Sequence, residues 1–180
     1  MNSKGDIKIS VNDIIVKASA LALRKHPLVN SSWLSDKIVQ HANINIGIAV
    51  AVEEGLLVPV IRNADHKGLL EISEETRTLA QKAKNKKISP DEMTGNTFTI
   101  SNLGMFGIEE FTAIINPPDA CILAVGAVVA KPIMLNGQIV SGQMMKLTLS
   151  CDHRIVDGAK GAQFLQTLKQ ILEEPLYSFM

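Results

Sequence analysis

The stretch Lys146-Leu147-Thr148-Leu149-Ser150-Cys151-Asp152-His153-Arg154-Ile155-Val156-Asp157-Gly158 passes from one structural period to another. Alternation by twos over Lys146 to Asp152 predicts a strand, with Leu147, Leu149, Cys151 and His153 on one face. Beyond Asp157, the apolar residues Phe164, Leu165, Leu168, Ile171 and Leu172 recur at helical spacing and predict a last helix. On this count His153 points to the apolar side at the strand's end, and Asp157 stands where a helix N-cap belongs.

Upstream, Ser10-Val11-Asn12-Asp13 reads as a variant capping box. It opens a helix over 11–26 with Val11, Ile14, Ile15, Ala18, Leu21 and Ala22 on one stripe. Asn30-Ser31-Ser32-Trp33 reads as a turn with Trp33 anchored in the core. Ile44 to Val52 alternates bulky and small residues, so its small face predicts a closely packed neighbour. Leu56 to Ile61 reads as a return strand, placed by Pro59 at an edge or bulge. Glu71 to Lys87 predicts a second helix, acidic at its start and basic at its end, and Ser89-Pro90 a short helical turn. Thr97 to Ser101 reads as a strand and Cys121 to Val129 as a central one, while Asn136-Gly137 marks a hairpin. Strands and helices alternate irregularly, so the fold class is α/β: a mixed β-sheet with covering helices, in two layers.

At 180 residues the chain suits a single domain. Its formal net charge is zero, which argues against nucleic-acid and anionic-membrane binding, since both need excess Lys and Arg. Lys82 to Lys87 read as a solvated helix end. Cys121 and Cys151 lie in apolar runs, as reduced, buried thiols do. No run reaches the roughly 18 apolar residues of a membrane span, and Met1 to Asp6 lacks the apolar core of a signal peptide.

The chemistry-bearing candidates each have a plain alternative. His153 is either a packed histidine at the strand's end or a catalytic one. Asp157 is explained by helix capping alone, or by local pairing with Arg154. Ser101, before Asn102-Leu103-Gly104, is the type of residue that forms turns. A hydrolase triad of these three lacks the Gly-x-Ser-x-Gly elbow. The ligand spacing around Cys151-Asp152-His153 is wrong for a metal. His26, His41 and His66 have no chemical neighbours in sequence.

Two segments, Thr97-Phe98-Thr99-Ile100-Ser101-Asn102-Leu103-Gly104-Met105-Phe106-Gly107 and Leu149 to Ala159, resemble signature segments of one family. It is the catalytic domain of the dihydrolipoamide acyltransferases, cores of the 2-oxoacid dehydrogenase complexes. The resemblance continues through Ser10 to Asp13, His26-Pro27, Asn30 to Trp33, Gly55 to Pro59 and Asn116 to Pro118, in the same order. Asn102 to Gly107 together with Ile115 to Ile122 is most similar to the pyruvate dehydrogenase branch, which implies an acetyl group.

This resemblance implies a coenzyme A-dependent acyltransferase fold, similar to chloramphenicol acetyltransferase. It also implies acyl transfer between the thiols of dihydrolipoamide and coenzyme A, without a metal. His153 then matches the general base, Ser101 the hydroxyl that stabilises the oxyanion, and Asp157 an aspartate that orients the histidine's surroundings. The family's active site lies between subunits of a homotrimer, and trimers join into a larger core through C-terminal residues, here Leu176 to Met180. The family domain begins earlier, with a strand and helix not found here. Residues 1–180 are therefore expected to be one catalytic domain, a C-terminal part of a longer protein. The lipoyl group and the contacts to partner enzymes would belong to other domains. The arginine that pairs with the motif aspartate in the family comes from that early region; Arg24, Arg62 and Arg77 are possible substitutes. A succinyl or branched-chain acyltransferase is the alternative, as is a catalytically silent core subunit, although such subunits lose the motif histidine. The location implied is a bacterial cytoplasm or a mitochondrial matrix.

Overall fold

The computed structural model describes residues 8–175. Helix α1 (Val11–Lys25) opens on the expected capping box: the Asp13 amide donates to Ser10 Oγ at 3.2 Å, and the Ser10 amide to Asp13 Oδ2 at 2.8 Å. Next come β1 (Ser31–Leu34) and β2 (Lys37–Gln40), an antiparallel hairpin. Of the turn expected at Asn30 to Trp33, only Asn30 is a bend; Ser31 to Trp33 are strand. Its polar residues tie the hairpin's open end instead. Asn30 Nδ2 donates to the carbonyls of His41 and Asn43, each at 3.0 Å, and Ser32 Oγ lies 2.7 Å from His41 Nε2.

The alternating run divides into β3 (Ile46–Ile48) and β4 (Val50–Val52). Its small face is closely packed: a Cβ on Gly47 would lie 2.7 Å from Val58 Cγ1 and 3.2 Å from Asn96 Cβ. The return strand divides too, into β5 (Gly55–Leu57), which pairs with β4, and β6 (Val60–Ile61), which pairs with β3. Pro59 stands between them, without an N–H for either ladder. Helix α2 (Leu69–Lys84) starts two residues before the expected Glu71, which accepts from the Gly68 amide at 2.7 Å. It stops short of Lys87 because Lys86 turns left-handed, at φ 57°.

A 3₁₀ turn (Pro90–Met93) leads to β7 (Phe98–Asn102) and, after a long loop, β8 (Cys121–Val125). Strands β9 (Val129–Leu135) and β10 (Gln138–Met144) form the hairpin expected at Asn136-Gly137, both of which have positive φ. Strand β11 (Leu147–Cys151) then leads to helix α3 (Gly158–Glu173).

Five strands make one mixed sheet in the order β11-β8-β7-β3-β6, with β3, β7 and β8 parallel and the two edge strands antiparallel. One face carries Phe98, Ile100, Cys121 and Leu123 into a core shared with Ile15 of α1, Ile72 of α2 and Phe164 of α3. Phe98 and Phe164 are fully buried, with ring centroids 5.6 Å apart. The opposite face, with Ile122 and Ala124, is covered by Phe111, Ala113 and Ile115 of the 103–120 loop. Cys121 and Cys151 face each other across β8 and β11 as free thiols, and their mutual hydrogen bond together with burial pushes Cys121 up. Among the described residues no helix is long and apolar enough to cross a membrane. The expected assembly segment, residues 176–180, lies outside the described residues.

Candidate active site

Strand β11 ends at Cys151, two residues before the histidine. The Asp152 carbonyl accepts from the amides of Ile155 at 2.9 Å and Val156 at 3.0 Å, which curls the chain into a tight turn. His153 sits on that turn and is exposed. The expectation that it continues the apolar face of the strand is thus wrong, because the pleat ends before it. A packed, satisfied core histidine is excluded as well: His153 makes no hydrogen bond among the described residues.

The turn is held from both ends. Ile155 and Val156 are buried behind it, and the Asp152 amide donates to the Ala120 carbonyl at 2.8 Å in front. Asp152 also accepts from the Arg154 amide at 3.0 Å, from Arg154 Nε at 2.9 Å and from Arg154 Nη2 at 2.6 Å. These bonds hold the Asp152 carboxyl below the usual carboxylate range. The Arg154 guanidinium lies 4.6 Å from the ring centroid of Trp33, which is half-buried against the core.

Asp157 is the N-cap of α3, its Oδ1 accepting from the Lys160 amide at 2.8 Å. It does not pair with Arg154, which Asp152 holds. Nor does it meet the three candidate arginines. Arg24 binds Asp65 at 2.8 Å, and Arg62 donates to the carbonyls of Asp91 and Thr94. Arg77 makes no hydrogen bond to it among the described residues.

Ser101 lies near the end of β7, half-buried, on the loop-covered face with Thr99. It does not build the turn that follows. Asn102 does so, its Oδ1 accepting from the Gly104 amide at 2.9 Å while its Nδ2 reaches Asn12 Oδ1 of α1 at 3.2 Å. Gly104 is required by close approach, since a Cβ there would stand 2.9 Å from the Gly126 carbonyl oxygen. On the same face, Asp119 Oδ2 accepts from Thr99 Oγ1 and Asn96 Nδ2, both at 2.6 Å. Burial pushes the Asp119 carboxyl up to about 6, against the pull of those two bonds, and its Oδ1 has no partner.

The sheet register separates the two candidate groups. Ser101 is level with Ala124 of β8, and Ala124 with Thr148 of β11. Cys151 is three residues further along, about 10 Å, and two strand spacings to the side, about another 10 Å. His153 lies beyond that. A hydrogen bond of ~3 Å cannot span this gap, so within one chain Ser101 and His153 belong to opposite ends of the sheet. Among the described residues no group of three or more His, Cys, Asp or Glu is placed to hold a metal ion.

Residues 1–180 match the family described as 2-oxoacid dehydrogenases acyltransferase (catalytic domain). The chain belongs to this family. The acyltransferase domain is 53% identical over 176 residues to the Arabidopsis thaliana mitochondrial protein named dihydrolipoyllysine-residue acetyltransferase component 3 of the pyruvate dehydrogenase complex. The match covers 96% of this chain but only 33% of that protein, so the chain spans about a third of its relative's length. The cubic core of the pyruvate dehydrogenase multienzyme complex superposes with a TM-score of 0.93 at 38% identity, over 98% of this chain and 74% of that one. The Azotobacter vinelandii dihydrolipoamide acetyltransferase gives a TM-score of 0.93 at 37% identity, with the same coverage. Its structure was determined in work on the role of a serine, a histidine and an asparagine in its catalytic mechanism. A chloramphenicol acetyltransferase, 16% identical with a TM-score of 0.59, shares the fold. Arg154, Trp33 and Asn102, which hold the turns beside His153 and Ser101, carry no motif in the sequence that marks them for this. Only the spacing Asp152-x-Arg154 hinted at a local clamp.

Proposed function

We propose that this domain transfers an acetyl group between the thiol of dihydrolipoamide and the thiol of coenzyme A, with a site assembled from two chains. The observation that carries the reading is the separation of an exposed His153, which makes no hydrogen bond among the described residues, from Ser101 at the other end of the same sheet. Each is half of a constellation that a second copy completes. In the Azotobacter protein the serine and histidine are 52 residues apart and the histidine and asparagine four, the spacings of Ser101, His153 and Asp157 here. The assembly is a homotrimer that builds a larger core, and the residues act as the catalytic domain of a longer protein. The lipoyl arm reaches them from another domain, in a mitochondrial matrix or bacterial cytoplasm.

In the reaction, His153 takes the proton of the attacking thiol, which adds to the thioester carbonyl, and returns a proton to the leaving thiol. Ser101 Oγ donates to the oxygen of the tetrahedral intermediate. Asp157 does not touch substrate: it fixes the start of α3 and with it one end of the histidine's turn. A thiol of pKa ~8.5 is already about one-tenth ionised near pH 7.5, so full deprotonation gains only about tenfold. Positioning of the two thiols and the oxyanion bond, the latter worth roughly 10²–10³, must supply more.

The test is transfer from acetyl-, succinyl- and isobutyryl-coenzyme A to dihydrolipoamide, run beside His153→Ala. Acetyl should be the best donor, and His153→Ala should lower its rate by at least about 10². A better rate with another acyl group would reassign the donor, and full activity of His153→Ala would remove the base.

A further inference from the structure

We infer that Arg154, clamped between Asp152 and the ring of Trp33, is the positioning residue that aims His153 at the reacting thiol. The inference rests on His153 being the base. An exposed histidine on a turn ordinarily samples several directions, and a general base must be within hydrogen-bond reach of one proton. Here the residues on either side of the histidine are locked to each other. Asp152 accepts from the Arg154 backbone amide and from two nitrogens of its guanidinium, at 2.6–3.0 Å. Five atoms of one residue pair thereby close a ring around the histidine's own backbone.

The clamp is also tied to the body of the domain. The guanidinium lies over Trp33, its Cζ 4.6 Å from the ring centroid. Trp33 belongs to β1, which is joined to Asp119 through the Ser32 bridge, immediately before Ala120. Ala120 in turn accepts from the Asp152 amide. The hairpin, the start of β8 and the histidine turn therefore form one closed circuit of contacts. Only a planar, forked cation can hold a carboxylate edge-on and lie over a ring at the same time, so lysine is no substitute for Arg154. Neither Arg154 nor Trp33 needs to touch substrate for this to matter: a displacement of about 1 Å at the base costs as much as 10² in rate.

The experiment is steady-state kinetics of Arg154→Lys, Trp33→Phe, Trp33→Leu and the Arg154→Lys/Trp33→Leu double variant, with His153→Ala alongside. Assembly size and melting temperature are measured on the same samples. Arg154→Lys and Trp33→Leu should each lower kcat about tenfold with both KM values within about twofold, because the loss is one of aim and not of binding. Trp33→Phe keeps a ring face and should restore the rate to within about threefold of the unmodified enzyme. The double variant should be no slower than the worse single, since both remove one clamp.

Unchanged kcat in Arg154→Lys, with His153→Ala inactive, would overturn the clamp and leave the base standing. A raised KM for coenzyme A at constant kcat would overturn it too, by making Arg154 a contact to the substrate's phosphates. Rate losses that track falling melting temperature across the series would reduce the clamp to a purely structural role. Should His153→Ala keep its activity, the base and its clamp fall together.

Discussion

Mixing two inactive variants gives the sharpest test of the divided site. Ser101→Ala chains keep an intact His153, and His153→Ala chains keep an intact Ser101. Each variant by itself should run at roughly 1% of the normal rate or less, given what an oxyanion donor or a general base is worth. Within one chain the register puts Ser101 at least about 14 Å from Cys151, with His153 beyond it. If each site takes its serine from one chain and its histidine from a neighbour, random assembly of equal amounts makes about a quarter of sites whole, as follows from a head-to-tail interface. Activity should then rise to about 25% of normal, at least about twentyfold above either parent. At other ratios it should follow f(1 − f), where f is the fraction of one variant. The assay is acetyl transfer to dihydrolipoamide by co-expressed assemblies purified without selection for either variant. Activity equal to the average of the parents at every ratio, in assemblies shown by native mass spectrometry to be mixed, would refute the two-chain site.

Two further expectations concern the carboxylates around the site. Asp157→Ala removes the cap on the Lys160 amide and should cost about 1 kcal/mol in a denaturant titration, whereas Asp157→Asn, an equally good cap, should cost only a few tenths. An equal loss in both variants would mean that the charge, not the cap, matters to the fold. Asp119 has a folded pKa raised to about 6, above its unfolded value near 4, so the fold binds its proton more tightly than the unfolded chain does. Its contribution to stability is fully present below pH ~4 and is lost as pH rises through about 6, by up to roughly 3 kcal/mol. The stability of Asp119→Asn relative to the native protein should therefore climb between pH 4 and 6 and level off above. A difference that is flat across that window, measured by chemical denaturation, would show that Asp119 is not held protonated.

Local chemistry made many elements legible. Ser10 and Asp13 cap a helix by their own side chains, Asn136-Gly137 supplies the two positive φ angles a hairpin needs, and Asp157 caps the start of the last helix. These are interactions over a few residues, so the chain's order determines them. The misreadings came where partners distant in sequence decide. Asn30 to Trp33 has the composition of a turn, yet Ser31 to Trp33 form a strand, because the polar side chains of Asn30 and Ser32 are satisfied by His41 and Asn43 across a hairpin. The run from Ile44 to Val52 looks like one strand, but only its first part has β7 beside it; the second pairs with β5.

The same division holds for the site. The order of residues places His153 four before Asp157 and 52 after Ser101, and by resemblance names the chemistry of each. Alternation by twos put His153 on the apolar face, and the tertiary structure turned it out, because the Asp152 carbonyl accepts two amides and ends the pleat. The arginine clamp on Trp33 joins positions more than a hundred residues apart, which no local period can report. Above all, the parallel pairing of β7 with β8 and the antiparallel pairing of β8 with β11 send Ser101 and His153 to opposite ends of one sheet. A linear chain carries both groups; strand direction decides that one copy cannot bring them together.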